Sequence, residues 1–258
     1  HYDLGGITPS SFCPGARDVF DEPAPFPPVK IVERGVLRQD IEALHLRRSR
    51  KPNLVALDLR SQIAGNTIAK ERILRLLERY GAPTVKGVMR KIIDDAEQSF
   101  LRKLRRLPDG AWREQTFIEV AWPGDRHAYR AVLTVTKEGE KLVFENAGTE
   151  PQVGAINTTY SGWRGSILTA LNQIFCYDQL YCVGGAVRHL EFRPTLGTFT
   201  VAKFPASVSS APVQGMETSL NLAQNALGKM VACDAELKRD LLCICGNNMF
   251  ATALISGV

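Results

Sequence analysis

A mixed α/β architecture of the α+β kind follows from three features of this sequence. Two long stretches of helical apolar spacing stand side by side between residues 57 and 107, separated at Gly81 and Pro83. Beyond Leu107-Pro108-Asp109-Gly110 the apolar period drops to two, the spacing of half-buried strands. Helical spacing then returns at residues 163–175 and 216–230, with short β-like runs between. The order is too irregular for a simple alternating βα fold.

The elements are taken from the start of the chain. Residues 1–35 are rich in Gly, Pro and Ser, and Pro27-Pro28 excludes a helix there. Phe12, Val19, Phe20, Phe26, Val29 and Ile31 give the segment apolar anchors, so an ordered loop is expected. Ala69, Ile73, Leu76, Leu77 and Tyr80 form the first helical stripe, stopped by Gly81. Val85, Val88, Met89, Ile92, Ala96, Phe100 and Leu104 form the second. Together they predict an antiparallel helical hairpin.

Strands are expected at 116–122, 129–136 and 141–145, the last two joined by Lys137-Glu138-Gly139-Glu140. Trp163, Ile167, Ala170, Leu171 and Ile174 mark a helix, and 189–192 and 198–204 read as short strands. Met216, Leu220, Ala223, Leu227 and Met230 make a buried helix face. Asp234 suits the N-cap of a short helix through Leu242. The organisation is thus a loop-rich 1–56, a helical hairpin 57–110 and a mixed α/β portion 111–258.

The chain has 258 residues, 45% apolar and 23% charged, which allows a sizeable core and excludes collagen-like or wholly disordered classes. Its net charge of +5 is too mild to argue a polyanion partner. No apolar run reaches the ~18 residues of a membrane span. The six cysteines form no CxxC pair, and several sit in apolar runs, as expected of reduced thiols in a cytoplasmic protein. Leu254–Val258 is apolar and the first residue is not Met, so an internal portion of a longer polypeptide is expected.

Few residues offer chemistry. Neither a GxxxxGK[ST] nor a GxGxxG loop is present, so no nucleotide site of the chain's own is expected. His1-x-Asp3 places an imidazole beside a carboxylate just before Gly5-Gly6, a donor mix suited to Zn²⁺ or Mn²⁺. Equally, Asp3 could cap the turn. Gln214 and Glu217 flank a helix start where exposed amides could hold a carboxylate or phosphate, although Glu217 could simply complement the helix dipole. The basic clusters 47–51 and 102–106 lack aromatic platforms and read as solvated or subunit-facing, with no nucleic acid.

Taken in order, several motifs resemble the hydantoinase B family, partner subunits of hydantoinases, 5-oxoprolinases and ATP-dependent ketone carboxylases. His1-Tyr2-Asp3-Leu4-Gly5-Gly6-Ile7-Thr8-Pro9 is similar to its H-x-D-I-G-G-x-x-P opening, and Pro27-Pro28-Val29-Lys30-Ile31 to its I-P-P-V-K-L segment. Asp58–Asn66 resembles D-L-x-A-Q-I-A-A-N, and Leu107-Pro108-Asp109-Gly110 and Gly148–Val153 complete the series. Residues 211–217 and 234–243 look most like the acetone and acetophenone carboxylase branch.

The resemblance implies a piece of a larger hetero-oligomeric subunit. A hydantoinase A-like partner would hold ATP and Mg²⁺, and a small ketone would be joined to bicarbonate. His1 and Asp3 would contribute to a divalent metal site, with further ligands outside this sequence. A cyclic amide hydrolase subunit and a non-catalytic scaffold are the alternatives. The first is separated by bicarbonate dependence and the second by metal content.

Overall fold

The computed structural model describes residues 3, 5–9, 11–23, 25–180 and 182–241. A small two-stranded ribbon, β1 (Val32–Glu33) and β2 (Val36–Leu37), precedes helix α1 (Gln39–Leu46). Two long helices follow, α2 (Pro52–Tyr80) and α3 (Ala82–Leu104), joined by Gly81 at φ +78°. The main sheet comprises β3 (Gly110–Glu119), β4 (Ala128–Glu138), β5 (Lys141–Glu145) and β6 (Leu190–Arg193), hydrogen-bonded in that order. Helix α4 (Tyr160–Phe175) lies between β5 and β6 in sequence, and α5 (Gly215–Val231) closes the fold. The mixed α/β class is therefore what the structure shows.

β3, β4 and β5 form an antiparallel meander, whereas β6 runs parallel to β5. The parallel pair is the consequence of α4: a helical crossover returns the chain to the same end of the sheet. Trp163, Ile167 and Leu171 of α4 and Leu222, Leu227 and Met230 of α5 pack with Leu133, Val135, Leu142 and Phe144 of the sheet. Phe192 stacks on Phe144 with centroids 5.3 Å apart and meets Trp163 edge-on at 5.8 Å.

Asp109 ties the turn before β3 to the β4–β5 hairpin. Its carboxylate takes hydrogen bonds from Lys137 Nζ (2.5 Å) and the Gly139 amide (3.0 Å). That pairing lets Lys137 sit 4% exposed. The basic clusters are also drawn into local ties: Lys103 binds Asp178, Arg105 binds Glu140 and Arg106 binds Asp234.

Several element boundaries depart from the sequence expectation. β3 begins at Gly110 rather than 116, its inner positions Trp112, Glu114, Thr116 and Ile118 alternating with exposed ones. α2 starts at Pro52, where proline is already suited to the first turn. Residues 198–204 are no strand: 198–201 make a buried turn, with Val201 N donating to Thr198 O and Gly197 N to Val201 O, and Lys203 and Phe204 are exposed. The helix after Asp234 is a single 3₁₀ turn, Leu237–Asp240, and Asp234 accepts from the Glu236 and Leu237 amides. The four described cysteines are free thiols. Cys243, Cys245 and the Leu254–Val258 run lie outside the described residues.

Candidate functional site

Three loops meet where β3 ends and β4 begins. Val120 sits at φ +64°, a left-handed conformation that a β-branched residue seldom adopts, and it turns the chain sharply out of β3. The next turn is organised by Asp125, whose carboxylate accepts from the Ala121 amide (3.0 Å) and the His127 amide (3.1 Å). Burial alone would raise this carboxyl. Those amides and the Tyr129 hydroxyl outweigh it and hold Asp125 below the usual range. Tyr129 is pushed up to about 12 by its burial and by the Asp125 charge.

The second loop, residues 146–157, is fixed by three buried side chains. Asn146 Nδ2 donates to Thr198 Oγ1 (2.8 Å) and Thr200 Oγ1 (2.9 Å), and its Oδ1 accepts from the Thr195 amide. Thr149 Oγ1 accepts from Val132 N and donates to Val132 O. Asn157 accepts from Val153 N (2.7 Å) and donates to the Gly154 and Ser207 carbonyls. Gly154 is required here: a Cβ would stand 2.2 Å from the Ala121 carbonyl, and φ is +48°. The loop thereby brings Glu150 to His127, Oε2 to Nε2 at 3.2 Å, while Glu150 Oε1 takes the Arg130 amide. His127 also meets the Tyr129 ring at 4.5 Å.

The third loop leads into α5. Gly215 fits against the Ile156 carbonyl and Thr158 amide, where a Cβ would come within 2.7 and 3.0 Å. Gly162, in the first turn of α4, lies against Met216 in the first turn of α5, so two helix N-termini converge. Gln214 makes a long 3.5 Å contact with the Val120 carbonyl. Glu217, on the same first turn of α5, is half-buried and has no hydrogen bond or ion pair among the described residues; burial raises its carboxyl pKa. A carboxyl of this kind suits proton transfer better than a solvated one.

Gln214 thus reaches the Val120 carbonyl, and Glu217 lies three residues on, in the first turn of α5. Asp3 does not join them. Both its oxygens accept from Arg50 Nη1 (3.2 and 3.0 Å), and Oδ1 also takes the Gly5 amide at 2.9 Å. Arg50 Nη2 further donates to the Gly6 carbonyl. Burial would raise the Asp3 carboxyl, but the Arg50 and Gly5 bonds outweigh it and lower it. Gly5 and Gly6 are needed for close packing: a Cβ at Gly5 would fall 1.8 Å from the Arg48 carbonyl, and one at Gly6 2.4 Å from Cys13 Sγ.

His1 lies outside the described residues. A cation beside Asp3 would stand next to the Arg50 guanidinium, and no three His, Cys, Asp or Glu side chains converge on a metal position among the described residues. The Asp125, His127, Tyr129 and Glu150 cluster was not singled out from the sequence, and His127 in it is exposed. Its signals were the Trp122-Pro123-Gly124-Asp125 turn and the Gly148-Thr149-Glu150-Pro151-Gln152 motif.

The acetophenone carboxylase delta subunit of Aromatoleum aromaticum is 28% identical over 230 residues, covering 88% of this chain and 33% of that protein. The B-type component of a D-/L-hydantoinase from Pseudomonas sp. is 29% identical over 157 residues, 59% of this chain and 26% of that one. Among solved structures, nucleotide-free acetone carboxylase superposes with a TM-score of 0.79 at 16% identity, over 89% of this chain and 32% of its own, a likeness of fold. The chain spans between 26% and 39% of the length of four curated relatives that it matches. A family model described as Hydantoinase B/oxoprolinase matches residues 1–250, and the chain belongs to that family.

Proposed function

We propose that this chain is the hydantoinase B-like part of a cytoplasmic, ATP-dependent ketone carboxylase, which joins acetone or an aryl ketone to bicarbonate to give a 3-oxo acid. The observation that supports the choice is the likeness to the acetophenone carboxylase subunit, 28% identical over 88% of the chain, against 25% over 90% for 5-oxoprolinase 1 of Arabidopsis thaliana. ATP and Mg²⁺ belong on a hydantoinase A-like partner subunit, since this sequence has no Gly-rich phosphate loop.

Carboxylation needs a carbon nucleophile, so the ketone must lose an α-proton as its oxygen gains negative charge. Glu217 is the group suited to take that proton, being half-buried and unpaired with a raised pKa. The Gln214 amide can donate to the substrate oxygen. A divalent metal on His1 and Asp3 has no part in this scheme, because Asp3 is engaged by Arg50.

Hydrolysis of a cyclic amide is the second reading, favoured by the likeness to the hydantoinase component. The assembled complex separates the two. Ketone-stimulated ATP turnover that stops without bicarbonate supports the carboxylase, and turnover on a cyclic amide that ignores bicarbonate overturns it. In the carboxylating complex, Glu217→Gln should cut product formation by about 100-fold or more. ATP hydrolysis on the partner should fall less.

A further inference from the structure

We propose that the outer parts of α2 and α3 form a docking cleft for an acidic, amphipathic helix of a partner chain. The two helices cover each other beside Gly81, where Leu77 and Val85 are half-buried. From there the same apolar stripes continue outward at three- and four-residue spacing, through Ile73 on α2 and through Val88, Met89 and Ile92 on α3. A closed helical hairpin would bury these faces against each other. Instead Ile73, Leu76, Tyr80, Val88, Met89 and Ile92 are 41–52% exposed. Farther along α3 the same stripe enters the core at Ala96, Phe100 and Leu104, so the arm is anchored while its outer half is bare. Contiguous apolar surface of this kind marks an interaction site.

Charge chooses the occupant. Between Arg60 and Asp95 there are eight Lys and Arg against four Asp and Glu, which is most of the chain's net charge of +5. Three of those acids are already engaged: Glu71 with Arg75, Asp94 with Arg188 and Asp95 with Lys91. A second copy would bring one basic arm against another, which like-charge repulsion opposes. An amphipathic helix with apolar anchors at i, i+3, i+4 and i+7 and acidic flanks would meet both the stripe and its basic rim. The cleft's role does not depend on which reaction the assembly performs.

The test uses two labelled synthetic helices of about 20 residues with identical leucine stripes, one with Glu and one with Lys at the remaining positions. Fluorescence anisotropy against the whole chain should show the Glu helix binding at least about tenfold more tightly, with affinity falling as salt rises. Met89→Asp should weaken it by about tenfold, while Phe204→Ser, at an exposed aromatic elsewhere, should leave it unchanged. Circular dichroism and melting establish that both variants stay folded, as substitution of exposed side chains should allow. Equal binding of the two helices, no saturable binding, or indifference to Met89→Asp would overturn the proposal. So would a dimer in sedimentation that Met89→Asp dissolves, since that would give the cleft to a second copy.

Discussion

Asn157, Asp3 and Glu217 are polar side chains in three different situations, and each makes a different demand on the fold. Asn157 is 1% exposed and answers three backbone groups from two loops. Asn157→Ala leaves the Ser207 and Gly154 carbonyls without that donor, at a cost of about 2–3 kcal/mol in urea unfolding. Asp3 has its pKa lowered in the folded chain, so its contribution is present above the ordinary carboxylate range and lost as pH falls. The melting-temperature deficit of Asp3→Asn should therefore be wide at neutral pH and close on acidification. Plasma mass spectrometry should find metal content unchanged, because the side chain serves Arg50. Glu217 has the opposite sign: a raised pKa means that ionisation weakens the fold as pH rises. Glu217→Gln should gain on the parent in melting temperature between acid and neutral pH. That pairing of lower activity with higher stability is what a group held for chemistry shows.

The elements differ in how far they could be read in advance. α5 was legible because Met216, Leu220, Ala223, Leu227 and Met230 hold helical spacing without interruption, and α3 because its stripe is equally regular. The start of β3 was not, since Arg113-Glu114-Gln115 hides a period of two behind three polar residues. Residues 198–204 have β-like composition, yet Thr198 and Thr200 turn inward to satisfy Asn146, a partner more than 50 positions away that no local pattern reveals. The candidate site was half legible for the same reason. Gln214 and Glu217 stand at a recognisable helix start, whereas His127 and Glu150 meet through tertiary folding alone.

The 3₁₀ turn Ala186–His189 is likewise docked on α3 by long-range contacts. Gly185 lies so close that a Cβ would be 2.4 Å from Glu97 N and 2.6 Å from the Ile93 carbonyl. Glu97 takes hydrogen bonds from His189 (2.8 Å) and Arg188, and these hold its pKa down. Gly185→Ala should lower stability by about 2 kcal/mol or more, because the clash is with helix backbone that cannot rotate away. Melting of this variant beside Glu97→Gln checks both contacts, and the Glu97→Gln deficit should shrink as pH falls.

At the scale of the molecule the question is whether this chain could hold a nucleotide unaided. The two converging helix N-termini are the described feature most favourable to phosphate, since free amides and helix dipoles attract anions. Thr159 Oγ1 already accepts the Gly162 amide at the start of α4, however. At α5 the Glu217 carboxyl stands in the first turn, where its charge, when ionised, would oppose a triphosphate. The remaining positive charge is concentrated on α2 and α3, exposed helices without a loop that could wrap a phosphate. Such charge attracts anions weakly and without saturation at physiological salt. Titration calorimetry of the chain alone with Mg·ATP at about 0.15 M salt should therefore show no saturable heat. Under the proposed function, the same titration with a hydantoinase A-like subunit added should show one. Micromolar binding to the isolated chain would place a nucleotide site within it and undo the division of chemistry between subunits.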